Sequence, residues 1–312
     1  MIQGLDAWAE RRGYRIAVGS EAAVGAAVQA LRDLEAAGAF SARYFQENLS
    51  WIGSCAPEAA YTLVMVAMPL PAYTVTFHWQ DRPTEAVIPV TYYGYRPTFD
   101  SVRDDLNQEF SARGTRFTVL RAPLKSVAAR MGLVRYGCNN VTYCQGLGSY
   151  YQLVGLISET PLPGGAPEKI AEPEALPLCR TCRACQAACP SGAIGSSRFL
   201  LAADRCLTLL SESPGPLPPE IQRRKTPCLI GCLECQTCCP ENKGKLKFSA
   251  SGISFSAAET LEILRSESSN GGSLPPPLRE KLGRLRMTEL EEVVGRNLRV
   301  LLEGMPDGVS SA

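Results

Sequence analysis

Apolar residues recur three and four apart over residues 21–37 (EAAVGAAVQALRDLEAA), and the Ala, Leu and Glu between them favour a helix. Residues 1–50 as a whole read as helical. Residues 61–70 (YTLVMVAMPL) form a nearly unbroken apolar run closed by Pro69 and Pro71, the pattern of a strand buried on both faces. An amphipathic stretch over 99–114 predicts a helix. It is followed by a strand at 115–120 (TRFTVL), a short helix at 124–131 and an apolar strand at 150–159. Strand and helix alternating in this way predict an α/β-layered, α+β domain over residues 1–165.

Residues 160–177 (TPLPGGAPEKIAEPEALP) are rich in Pro, Gly and Glu and predict a linker. A cysteine-rich module follows over 175–250, with a surface loop at 211–219 (SESPGPLPP). A second break at 266–277 (SESSNGGSLPPP) reads as flexible. One amphipathic helix is expected over 278–302 and a frayed end over 304–312. Residues 251–312 thus read as a flexible linker and a C-terminal helix.

Composition narrows the function. The 312 residues are 45% hydrophobic and 20% charged, as in ordinary globular proteins, with a formal net charge of +1. That balance makes no electrostatic case for a nucleic-acid or membrane partner. The longest apolar run, 61–70, falls far short of the ~20 residues that span a bilayer. The opening residues have no apolar core of a signal peptide, and no apolar run follows Arg11 and Arg12. A cytoplasmic protein is the expectation.

Of the 13 cysteines, ten fall between Cys179 and Cys239. Clustered spacing of this kind reads as metal ligation in a reducing compartment. The first run, Cys179, Cys182, Cys185 and Cys189 followed by Pro190, has the C-x2-C-x2-C-x3-C-P spacing of bacterial ferredoxins. There, three thiolates hold one cubane and the fourth crosses to another. The second run holds Cys228, Cys232, Cys235, Cys238 and Cys239, followed by Pro240. Two runs predict two [4Fe-4S] clusters. Structural zinc is the competing reading. It is disfavoured by four cysteines in one run and by a single histidine, His78, far from both runs. The simplest assignment gives Cys179, Cys182, Cys185 and Cys239 to one cluster and Cys189, Cys206, Cys232 and Cys235 to the other. Cys228 and Cys238 are then spare. A rival assignment takes Cys238 in place of Cys206, and spacing alone leaves both open.

The order of Cys179–Ile194, then Ala203–Cys206, then Gly231–Asn242 resembles the epoxyqueuosine reductases and the related reductive dehalogenases. The lone Cys206 sits at that family's RRC position, so the resemblance favours Cys206 as a ligand. A weaker match covers Ala128–Asn139, similar to the family's AARAGLGWIGKN, and Gly148 and Ser149 before the 150–159 strand. The resemblance implies a nitroreductase-like N-terminal domain joined to a bacterial dicluster ferredoxin-like domain. It also implies cobalamin, held near Arg135, Cys138, Asn139, Gly148 and Ser149. The two clusters are then expected to carry electrons from an external low-potential donor to the corrinoid, which reduces a small or nucleoside-like substrate. An electron-transfer protein that reduces a corrinoid on a partner protein is the alternative, and a flavin in the N-terminal domain is a third reading.

The sequence departs from the family at several points. Its catalytic acid motif corresponds to Leu120-Arg121-Ala122-Pro123, which has no carboxylate. Its DYH stretch falls on Pro97-Thr98-Phe99, and its GKN lysine is Cys138. Tyr136 and Tyr95, with Tyr92 and Tyr93 nearby, are candidate proton donors, because a phenol holds its proton at neutral pH. Core packing is the competing role for each tyrosine, and for Cys144, Cys55 and His78. His78 is also weighed as an axial ligand to cobalt. Arg121 and Arg135 are candidate partners for an anionic group.

Overall fold

The structure, a computed structural model, describes residues 4–54, 62–90, 92, 95–158, 170–195, 200–222, 226–266, 274–285, 287 and 290–304. Cys55, Tyr93, most of the expected linker and most of the 266–277 break lie outside these residues.

A four-stranded antiparallel sheet anchors the N-terminal half. Its strands are β1 (Arg15–Ser20), β2 (Thr62–Pro69), β5 (Phe117–Val119) and β8 (Tyr151–Ser158), in the order β1-β2-β8-β5. Side chains of a strand alternate between faces, so the apolar run of β2 serves two cores. Leu63, Met65 and Ala67 pack with Tyr151 and Leu153 against the helices Glu21–Ala36 and Leu124–Arg130. Val64 and Val66 pack with Val154 and Leu156 against Trp8, Leu106 and Phe110. These last residues stand on the helices Leu5–Arg11 and Tyr95–Phe110. The result is helix, sheet, helix, as the alternating pattern predicts. The expectation that residues 1–50 are all helical misses β1.

A second sheet holds β3 (Ala72–Trp79), β4 (Arg82–Ile88) and β9 (Phe248–Phe255), in the order β4-β3-β9. β3 and β4 join through Gln80 and Asp81, with φ of 49° and 60°. A two-residue hairpin loop of this kind usually carries Asn-Gly or Asp-Gly. Its signal is hidden here because neither residue is glycine. β4 is an edge strand, which accommodates Pro83 opposite His78.

β9 pairs parallel with β3, so the chain returns to this sheet after the cysteine module. Phe77 and Phe255 stack at 4.8 Å between ring centroids. Helices Ala257–Ser266, Pro276–Arg284 and Glu291–Gly304 close over them with Ile263, Leu282 and Leu298. The described part of 251–312 is therefore a packed core, not a flexible linker with one helix. The pattern over 278–302 resolves into two helices. Leu229 and Ile230, between the second run's cysteines, are buried in the same core.

The 211–219 stretch is not a free surface loop at its start. Ser211 and Glu212 end the helix Leu207–Glu212, and the Ser211 hydroxyl accepts a 2.8 Å bond from the Gly231 amide. Buried Arg296 donates to the carbonyls of Leu210 at 3.0 Å, Ser211 at 3.1 Å and Ser213 at 2.9 Å, and to that of Gly215. Asn297 adds a 2.9 Å bond to Ser211. One guanidinium thus fastens the C-terminal helix to the segment after Cys206. Removing it strands several carbonyls. Arg296→Ala should cost about 3 kcal/mol in a urea melt, and Arg296→Lys should recover only part of it, since one ammonium lacks the planar fork.

Candidate iron–sulfur centre

Each cysteine run folds into the same small unit. The helix Ala184–Ala188 carries Cys185 and leads into Cys189-Pro190. The helix Glu234–Thr237 carries Cys235 and leads into Cys239-Pro240. Proline cannot continue the helix, so the chain turns outward at Cys189 and at Cys239. The two short helices pack side by side, which lets each run deliver sulfur to the other's site.

Cys179, Cys182, Cys185 and Cys239 line one hollow. About 330 Å³ of it is free of protein atoms, part of this open to solvent. Leu176, Leu178 and Tyr143 complete its wall. Burial pushes the Cys185 thiol up to about 11, and Cys138, Cys238, Cys179 and Cys239 add repulsion. A second set forms around Cys206, Cys232 and Cys235. Burial lifts Cys232 to about 12, and Cys228, Glu234 and Cys206 reinforce the rise. Cys235 rises through burial and then through Cys232 and Cys206. Cys238 instead feels Cys239 and Cys182. Cys206 thus acts on Cys232 and Cys235, and Cys238 is influenced by Cys239 and Cys182. Burial alone lifts Cys189, but N–H groups of Ser191, Ile194 and Ala193 and the Ser191 hydroxyl outweigh it and bring the thiol down. Such donors favour a thiolate.

Among the described residues no three His, Cys, Asp or Glu side chains converge as a single-ion site. The thiols ring a hollow instead, and that arrangement fits a polynuclear cluster.

The N-terminal layer locks onto this centre through the residues singled out as cofactor-proximal. The Asn139 amide donates to the Cys235 carbonyl at 3.1 Å and to the Tyr143 hydroxyl at 2.9 Å. Ser149 donates from its amide to Asn242 Oδ1 at 2.9 Å, and from its hydroxyl to Gln236 Oε1 at 2.8 Å. Asn242 Nδ2 in turn donates to the Ser149 hydroxyl and to the Gln236 carbonyl, both at 2.8 Å. Gly148 (φ 65°) lies so close that an added Cβ would collide with Asn242 Oδ1 and come within 2.9 Å of Lys245. Cys138 lines the first hollow. Arg135 makes an exposed 3.1 Å ion pair with Glu174. The partners of Cys138, Asn139, Gly148 and Ser149 are therefore the cluster loops.

Other candidates have plain partners. Tyr136 exchanges backbone bonds with Glu174 and Leu176 and packs on the core, and burial raises its phenol to about 12. Tyr95 begins the helix Tyr95–Phe110. Cys144 and Cys228 are buried in apolar clusters. Arg121 lies 5.4 Å over the Trp51 ring. His78 is exposed on β3.

A second hollow, of about 570 Å³ open to solvent, lies between the N-terminal layer and the cysteine module. Gly38, Ala39, Ser41, Tyr44, Ala202 and Asp204 line it, the last two residues of that set within four positions of Cys206. Burial raises the Tyr44 phenol, and the charges of Cys206, Asp204 and Glu212 add to the rise. Glu212 accepts a hydrogen bond from Tyr92. Burial raises this carboxyl, and the Tyr92 bond partly offsets the rise. Tyr44 and Glu212 escape a sequence reading because the first sits in an ordinary amphipathic stretch and the second in an apparent loop.

Residues 178–242 match the 4Fe-4S double cluster binding domain. That match assigns two [4Fe-4S] clusters to the module. The epoxyqueuosine reductase of Bacillus subtilis is 32% identical over 152 residues, which cover 48% of this chain and 37% of that protein. The matched stretch is thus well under half of the relative. A solved epoxyqueuosine reductase superposes over 96% of this chain and 80% of its own, with a TM-score of 0.69 at 21% identity. The chain has the epoxyqueuosine reductase fold. Another solved epoxyqueuosine reductase, in complex with an epoxyqueuosine-modified tRNA stem loop, has a TM-score of 0.66 at 21% identity, with the same coverage. The chain thus carries a 4Fe-4S double cluster binding domain and is similar to epoxyqueuosine reductases, and no described helix is long and apolar enough to cross a membrane.

Gly148→Ala tests the lock between layer and module. A Cβ there must push Asn242 aside in a left-handed backbone, so the variant should lose roughly 2 kcal/mol in a urea melt. Its iron content after anaerobic reconstitution should fall in parallel.

Proposed function

We propose that the chain carries electrons from an external low-potential donor, through a first cluster on Cys179, Cys182, Cys185 and Cys239, to a second on Cys189, Cys206, Cys232 and Cys235. The observation that carries this reading is the serial order of the sites. Leu178 is 38% exposed at the rim of the first hollow, and Asp204, two positions before Cys206, lines the second. Electrons enter on one side of the module and leave on the other.

The second hollow suits a flat organic cofactor, because Phe40, Tyr44 and Leu201 line it with apolar faces and the side chains of Gly38, Ala39, Ser41 and Ala202 are small. By the family resemblance that cofactor is a corrinoid, whose low-valent cobalt would supply the reductant for a small or nucleoside-like substrate. The chain's own contribution is the floor of the hollow and a proton. Tyr44 holds its proton through burial and neighbouring negative charge, and it faces the opening. It takes the place of Tyr136 and Tyr95 as the proton donor of this reading.

The expectation of no nucleic-acid partner rests on net charge alone and is set aside. A relative of the same fold is captured with a tRNA stem loop, so the nucleoside substrate extends to one carried in RNA. A second reading, an activating protein that reduces a partner's cofactor, draws support from Arg121. It occupies the stretch of the family's acid and is stacked on Trp51.

Anaerobic titration with cob(II)alamin, followed by EPR, separates the two. A base-off cobalt signal saturating near one equivalent is the expected result. A spectrum unchanged from free cob(II)alamin would overturn the corrinoid and favour the activating protein or a flavin. On the substrate that a subsequent screen identifies, Tyr44→Phe should lower kcat about a hundredfold with KM and iron content unchanged.

A further inference from the structure

A [4Fe-4S] cubane takes four thiolates, yet the first hollow is lined by five. Cys179, Cys182 and Cys185 come from the first run and Cys239 from the second. Cys138 comes from the N-terminal layer. Its Sγ donates a hydrogen bond to the Cys179 carbonyl oxygen at 3.7 Å.

The turn that presents Cys138 is fixed. The Gly137 amide donates to Val141 at 2.8 Å, and the Asn140 amide to Gly137 at 2.9 Å. The next side chain, Asn139, is tied to Cys235 and Tyr143. Cys138 is therefore held beside Cys179 whether or not iron is bound, and it needs only a side-chain rotation to face the hollow. A thiol packed as an inert small hydrophobe would not line a ring of ligands.

We propose that Cys138 is a reserve ligand for the iron that Cys179 holds. In the exchange the Fe–Sγ bond to Cys179 breaks and a bond to the Cys138 sulfur forms. The Cys138 proton passes to the departing Cys179 thiolate beside it. Cluster charge and iron oxidation state stay the same, and no further reactant is needed. The exchange has a use at this position. Leu178, next to Cys179, is exposed, so Cys179 stands at the rim that an oxidant reaches first. The inference rests on the ligand assignment proposed above.

Iron and labile sulfide are counted in the full chain after anaerobic reconstitution, with EPR of the reduced clusters. Wild type should hold about eight irons, and a lower count there means that the two-cluster assignment itself has failed. Cys138→Ala and Cys179→Ala should each keep about eight, and the double variant about four. About four irons in Cys179→Ala alone would overturn the proposal. So would about four in Cys138→Ala alone, which would make Cys138 the resident ligand, or about eight in the double variant. A measurement on the wild-type holoprotein removes any dependence on variant folding. Alkylating Cys138 with iodoacetamide should speed loss of the first cluster under hydrogen peroxide several-fold. Equal rates with and without alkylation would count against the proposal.

Discussion

Sulfurs that must share one cluster repel one another as thiolates and resist ionisation as buried thiols. The lifted Cys185 and Cys232 thiols show both effects at work. Iron relieves this cost only if the loops are already in place, because metal binding couples to folding. The loops themselves have little regular structure: five residues of helix in one run and four in the other. Their shape therefore depends on contacts from outside the module.

Two sets of contacts supply it. On one side the N-terminal layer reaches in with Asn139 and Ser149 and meets Asn242 and the Cys235 carbonyl. On the other, Leu229 and Ile230 are drawn into the core under β3, β4 and β9, and Arg296 fastens the segment after Cys206. The module is gripped between two cores, one ahead of it in the chain and one behind. This arrangement explains why the same turns that a resemblance marks as cofactor-proximal prove to be structural partners of the clusters. It also sets the segment just before Cys206 against the hollow that Tyr44 and Asp204 line.

Much of this was legible in the residues. The β2 run, the helix Glu21–Ala36 and the strand β8 follow from periodicity, and the cluster module from cysteine spacing. What stayed hidden has physical causes. The β3–β4 hairpin turns through Gln80 and Asp81, which carry no glycine signal. β9 pairs with a strand more than 160 positions earlier, and no local pattern records such a partner. Arg296 looks like a surface charge on an amphipathic helix until the loop it binds is in view. Spacing left Cys206 and Cys238 open, because ligand choice depends on which loop faces which, a tertiary property. Tyr44 and Glu212 become a pair of interest only when the layer and the module are brought together.

The central claim is that this chain holds two cubanes in series, gripped by the folds on either side. Mössbauer spectroscopy of the chain reconstituted with iron-57, alongside metal analysis, tests it most directly. The account predicts about eight irons per chain, all in the quadrupole doublet of oxidised [4Fe-4S] clusters, and no zinc. About four irons, or tetrahedral zinc bound in preference to iron, would contradict it.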